Sequence, residues 1–387
     1  MLTKFDSIRP FDDDDLSIIL PKLFNNKEFI TSLVAFKFSS WPKFMRPALR
    51  FVTRRYIIKQ IAQISTLRDF QRLVEPYMEH MINKTTDSFT ITGLDQLDLS
   101  KACLFISNHR DIALDPAFVN WALHVNGQDT VQIAVGDNLL KKEWVADLIR
   151  LNKCFIVKRS ASDRREKLSA AKLLSEYIEF TLNTQKQHIW LAQREGRAKD
   201  GNDLTNPAIL SMLALNKPKT AEFSDYIKSL RIVPVSISYE FDPCDISKAK
   251  ELQQVELEGS YDKPDNEDVK SIVNGITGQK GRVHLHFGQV LSQEFNSAKE
   301  VAAHLDKAIL QGYQSFASGA VAAKMLSNDN SLSMGSETKT QIQIATTYLQ
   351  NRLVDLPEAE QAKLLNMYAC AFLKKQQINS PSQETGD

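Results

Sequence analysis

In the stretch Ala102-Cys103-Leu104-Phe105-Ile106-Ser107-Asn108-His109-Arg110-Asp111-Ile112-Ala113-Leu114-Asp115-Pro116, an apolar run ends in a histidine among polar residues and gives way to a helix-like segment. A short apolar run bounded in this way reads as a buried strand, here 102–107. Similar runs recur at 131–135, 154–157, 189–192, 232–237 and 283–287, with helical patterns between them at 116–124, 141–150 and 163–182. Strands alternating with helices predict an α/β fold class: a mainly parallel central sheet flanked by helices, with helical N- and C-terminal extensions. Open α/β sheets bind ligands beyond the carboxyl ends of their strands. His109 falls at such an end, and so does Gln193-Arg194-Glu195-Gly196-Arg197-Ala198-Lys199.

Outward from this core the periodicity changes. Leu16, Ile19, Leu20 and Leu23, then Ile30, Leu33 and Val34, recur near 3.6 residues, so residues 16–85 read as helical. Helical patterning returns after Ser297, and Asp355-Leu356-Pro357-Glu358 looks like a capped helix start. The glycine-rich stretch 258–281 reads as a loop or insertion without catalytic content, 328–337 as a linker and 378–387 as a frayed tail. Three segments are expected: a helical region 1–85, an α/β domain 86–297 and a helical region 298–387 with a tail.

With 387 residues, 43% hydrophobic and 25% charged, the chain can bury the core of a globular enzyme. A net charge of +1 argues against a dedicated nucleic-acid binder. Cys103, Cys154, Cys244 and Cys370 lie far apart, which suggests neither a zinc site nor a disulfide framework and fits a reducing, cytoplasmic location. The acidic run Asp12 to Asp15 near the N-terminus is unlike a signal peptide. No apolar run reaches the roughly 18 residues of a spanning helix, so any membrane contact is expected to be peripheral. The segment 36–61 suits such a contact: it mixes Arg46, Arg50, Arg54, Arg55 and Lys59 with aromatics and holds no acidic residue. The competing expectation is that Phe36, Phe38, Phe44, Phe51 and Tyr56 pack on the core. Pro42 and Pro47 exclude one continuous helix there.

An imidazole can act as a base near neutral pH, and a carboxylate bonded to one ring nitrogen fixes the tautomer that leaves the other available. Asp115 and Asp111 compete for that role beside His109. Neither spacing lies on one helix face, so the histidine should occupy the turn before a helix starting near Asp115, with Pro116 at its first position. Asp115 could alternatively be a simple N-cap. Glycine allows the tight turn of Glu195-Gly196-Arg197, and arginine offers a fork matched to phosphate oxygens. Arg159, after Lys158 at another strand end, adds a cation. Pro234 suggests an edge strand or a strand end. His284 and His286 alternate with Val283, Leu285 and Phe287 and read as bystanders facing away from the core rather than metal ligands. His109-Arg110-Asp111 lacks the other signatures of a kinase, and neither a phosphate loop nor a serine nucleophile elbow occurs.

In order and in strand context, four of these stretches resemble the blocks of the glycerophospholipid acyltransferase family. The first is Asn108-His109 with Asp115, and the second is Gly136-Asp137-Asn138-Leu139 with Phe155 to Arg159. The third is Glu195-Gly196-Arg197 and the fourth Ile232-Val233-Pro234-Val235. Two departures stand out: five residues rather than four separate His109 from the acid, and Arg197 follows the glycine directly. Asp111 stays open as the alternative orienter, and Arg194 or Lys199 as substitutes for Arg197. The resemblance covers about residues 85–290.

It implies transfer of a fatty acyl group from acyl-CoA or acyl carrier protein to glycerol-3-phosphate or a lysophospholipid, as in phospholipid biosynthesis. His109 would act as base with Asp115 behind it. Arg159, Arg194, Glu195, Gly196 and Arg197 would hold phosphate and glycerol. No resident cofactor or metal would be needed beyond the thioester co-substrate. A hydrolase using the same His/Asp pair and a non-catalytic lipid-binding protein are the rival expectations.

Overall fold

The computed structural model describes residues 2–38, 41–160, 163–264, 266–327 and 332–379. Among these are seven strands: β1 (Ser88–Thr92), β2 (Leu104–Ser107), β3 (Gln132–Gly136), β4 (Cys154–Val157), β5 (Ile189–Ala192), β6 (Ile232–Tyr239) and β7 (Arg282–Phe287). The chain forms two compact units that do not follow simple sequence order. One comprises Met1–His80 with Gln132–Tyr177, the other Met81–Val131 with Ile178–Asp387.

In the larger unit the strand order is β1-β7-β6-β2-β5. Every pair in it is parallel except β6 with β7. All residues of β2 and β6 are buried, as expected of continuous apolar strands covered on both faces. Edge strand β1 was not anticipated: only Phe89 and Ile91 are apolar, and its residues alternate between exposed and half-buried. On β7, Val283, Leu285 and Phe287 face the core, while His284 and His286 lie half-buried on the other face, bonded to Thr90 and Thr92.

Pro234 does not mark an edge strand, because β6 lies between β7 and β2. It is tolerated because the β6–β7 ladder begins one residue later, at Val235 opposite Phe287. Gly288 donates to the Pro234 carbonyl at 2.8 Å, and the missing N–H falls at the ladder's end.

The loop expected over 258–281 instead contains the helix Glu267–Thr277, preceded by the helix Asp245–Glu258. Flanking glycines obscure the helical pattern of Val269, Ile272 and Val273. The helices Ala298–Gly312, Ala317–Ser327, Lys339–Leu353 and Glu358–Asn379 follow. Ser297 caps the first of these through the Glu300 N–H. Alanines 317, 320, 322, 323, 345 and 369 let these helices pack closely with Leu349, Leu364 and Phe372. Ile378 still lies in the last helix, whereas 380–387 of the expected tail and 328–331 of the expected linker lie outside the described residues.

The smaller unit pairs β3 and β4 in parallel. Its helices Leu16–Asn25 and Lys27–Lys37 bury Leu16, Leu20, Leu23, Phe24, Phe29, Ile30 and Val34 in one cluster. Pro47 stands in the first turn of the separate helix Arg46–Ile61, where its missing N–H costs no intrahelical bond. Phe38 packs against the cluster, but Phe44 is 82% exposed, and Phe51 and Tyr56 are exposed as well. No described helix is long and apolar enough to cross a membrane.

Candidate active site

The turn after β2 is built by side chains that take over from the ladder. Asn108 brackets Ile237 of β6, its Nδ2 donating to the carbonyl at 2.9 Å and its Oδ1 accepting the N–H at 2.8 Å. The chain can therefore leave the sheet at His109 without stranding backbone groups. Ala198 N–H donates to the His109 carbonyl at 3.0 Å, tying the turn after β5 to it.

His109 Nδ1 lies 2.8 Å from Asp115 Oδ2. The same oxygen accepts the N–H groups of Arg110 at 2.6 Å and Asp111 at 2.9 Å, while Asp115 Oδ1 accepts the Tyr239 hydroxyl at 2.7 Å. Asp115 has no solvent exposure, so four donors enclose a fully buried carboxylate. This bonding assigns the carboxylate-bound nitrogen to Nδ1 and leaves Nε2 without a bond to any described residue. The imidazole rests edge-on against Trp190, with ring centroids 5.6 Å apart.

Asp111 does not orient His109. Its Oδ1 accepts the N–H groups of Ala113 and Leu114, at 2.9 and 2.8 Å, at the start of the helix Leu114–Val125. Asp115 is thus no N-cap: it lies inside the first turn and reaches back. Pro116 is the third helical residue rather than the first, which is permitted because the first four N–H groups have no acceptor within the helix. Burial, and then the Asp115 carboxylate, push the Asp111 carboxyl above its usual range. A Cβ on Gly275 would stand 2.1 Å from Asp111 Oδ2, so the helix Glu267–Thr277, expected to be uninvolved, packs directly on this residue.

The turn after β5 is more open. Glu195 and Gly196 are exposed, Gly196 adopts a φ of +73°, and Arg194 is half-buried. Arg197 is half-buried too, and its Nη1 is a buried donor without a partner among the described residues. Although burial opposes it, the positive charges of Lys248 and Arg197 hold the Asp242 carboxyl below its usual range. Lys199 is paired with Glu251 and so is committed elsewhere.

Arg159 belongs to the other compact unit. There its guanidinium would lie 2.9 Å from a Cβ on Gly136, and its backbone N–H donates to Asp137 Oδ1 at 3.1 Å.

Several groups around the His109 turn carry no local sequence signal. Lys248, fully buried, donates to the Arg110 carbonyl at 2.7 Å and pairs with Asp242. Arg110 itself turns inward to Asp203 at 2.5 Å. Tyr239 lies 124 positions from Asp115, and only knowledge that β6 neighbours β2 could have found it.

Residues 88–238 match the acyltransferase family model. Among solved structures, the 1-acyl-sn-glycerophosphate (LPA) acyltransferase PlsC from Thermotoga maritima is similar at 13% identity and a TM-score of 0.38, over 78% of this chain and 95% of that one. No curated protein matches the chain. The matched residues take in the blocks at His109, Arg159, Glu195 and Pro234, and over that region the chain is similar to the acyltransferase family.

Proposed function

We propose that the protein transfers a fatty acyl group from an acyl thioester, acyl-CoA or acyl carrier protein, to the hydroxyl of glycerol-3-phosphate or a lysophospholipid. The observation that carries this reading is the His109–Asp115 pair, its carboxylate closed in by four donors and its Nε2 not bonded to any described residue. Nε2 takes the hydroxyl proton as the acceptor oxygen attacks the thioester carbonyl. The tetrahedral adduct then collapses with loss of the thiolate, which recovers the proton from the imidazolium. Asp115 stabilises that imidazolium, and no covalent enzyme intermediate is needed. Thiolate leaves readily, so positioning the base contributes about 10²–10⁴-fold.

An acceptor bearing phosphate is supported by Arg197, whose Nη1 is an unpaired buried donor in the turn joined to the His109 carbonyl. Arg194, Glu195 and Gly196 are proposed to complete the hold on phosphate and glycerol. The test is transfer of labelled acyl groups from both donors to glycerol-3-phosphate, lysophosphatidic acid and water. Acceptor-dependent product that disappears in His109→Ala is expected, and release of free fatty acid without acceptor dependence would sink the reading.

Residues 36–61 are proposed to bring the enzyme onto the cytoplasmic face of a membrane. Exposed Phe44, Phe51, Val52 and Tyr56, interleaved with Arg46, Arg50, Arg54, Arg55 and Lys59, support this. A high-salt wash should release the protein from membranes, and retention would count against a peripheral contact of this kind.

A further inference from the structure

We propose that Tyr239 is a positioning residue for the reaction, holding Asp115 so that its other oxygen is presented to His109. This rests on the acyl-transfer reading above, but Tyr239 itself lies just beyond the region matched to the family, which ends at residue 238.

The two oxygens of Asp115 have different surroundings. Oδ2 receives His109 and two backbone N–H groups, whereas the donor to Oδ1 is the Tyr239 hydroxyl at 2.7 Å. Without that hydroxyl, Oδ1 would be a carboxylate oxygen with no solvent exposure, and the carboxylate could turn about its Cβ–Cγ bond. Rotation would move Oδ2 off the Nδ1 direction and weaken the bond that sets the imidazole tautomer.

Tyr239 is well placed to prevent this. It is the last residue of β6, which pairs directly with β2, and its ring packs on Phe118 of the helix that carries Asp115. Burial, and then the Asp115 and Asp111 carboxylates, raise its phenol well above the ordinary value, so it remains a donor throughout the working range. The hydroxyl therefore does not itself exchange the reacting proton.

Charged groups reach this carboxylate from several elements. Arg110 and Asp111 belong to its own turn, and Asp203 comes from the segment after β5. Lys248 on the helix Asp245–Glu258 and Lys280 before β7 act on Asp111. All of them remain in Tyr239→Phe, which removes one oxygen and keeps the ring packing. With the carboxylate free to turn, Oδ2 holds Nδ1–H less well and the imidazolium formed during the reaction loses part of its support.

The experiment compares wild type, Tyr239→Phe and His109→Ala in acyl transfer and by proton NMR. Tyr239→Phe is expected to lower kcat about ten- to a hundredfold with both KM values little changed. The acidic limb of its kcat/KM profile should move to lower pH, and the His109 Nδ1–H resonance should move upfield as its hydrogen bond weakens. An unchanged limb and resonance would overturn the proposal, even with a lower melting temperature, because a merely structural role predicts that pattern. If wild type transfers no acyl group, the functional reading fails separately, while the resonance and the His109 titration still decide what Tyr239 does to the pair.

Discussion

The turns after β2 and β5 are joined at the His109 carbonyl but are built in opposite ways. After β2, Asp115 is fully buried with four donors, and Asp111 is spent on the helix start. After β5, Glu195 and Gly196 face solvent, and Arg197 keeps an unpaired donor. A network satisfied before substrate arrives needs no reorganisation during the reaction, which suits the base. A cation left incompletely satisfied gains by meeting an anion, which suits recognition of a phosphate. On the proposed function, the contrast separates a turn that sets the rate from one that sets the affinity.

The most severe way to break the closed turn is Asp115→Asn, which keeps the size but favours the wrong tautomer of His109. A fall in kcat of about 10³–10⁴-fold is expected, comparable to His109→Ala, with substrate KM values near wild type. Initial-rate kinetics check this, and near-normal turnover would remove Asp115 from its role. Arg197→Gln tests the open turn: the KM for a phosphate-bearing acceptor should rise about ten- to a hundredfold while that for the thioester stays put. An acceptor KM that does not move would show that Arg197 serves only the neighbouring Asp242.

Gly275→Ala sharpens the comparison from behind the closed turn. Alanine in place of a helical glycine ordinarily stabilises by about 0.5–1 kcal/mol. Here the added carbon would meet Asp111 Oδ2 at 2.1 Å, so a loss of about 1–3 kcal/mol is expected in urea unfolding. A gain would mean that Asp111 yields easily and that the rear of the turn is slack.

The central strands were legible because β2, β5 and β6 are largely apolar runs, a pattern imposed by burial on both faces. Edge strand β1, half-exposed and rich in threonine, carries too little of that pattern. The helix Glu267–Thr277 was missed because Gly259, Pro264, Gly278 and Gly281 around it, and Gly275 within it, read as loop residues, although Gly275 is glycine for lack of space beside Asp111. His109, Asp115 and Arg197 stood out from type and position at strand ends, but the choice of Asp115 over Asp111 needed the fold of the turn. Tyr239, Lys248 and Gly275 reach the turn from distant segments, and no periodicity records which strands or helices become neighbours.

Tyr239 lies 124 residues beyond Asp115, and this spacing has a consequence for synthesis. At roughly 5–20 residues per second, a ribosome needs on the order of 6–25 s to deliver β6 after the helix that carries Asp115. During that interval nascent β2 has its apolar residues but lacks both sheet neighbours, β5 and β6. An uncovered apolar strand of this kind is a target for chaperones and for association between nascent chains. The yield of active protein would thus depend on the cell's supply of holdases as well as on the stability of the finished fold.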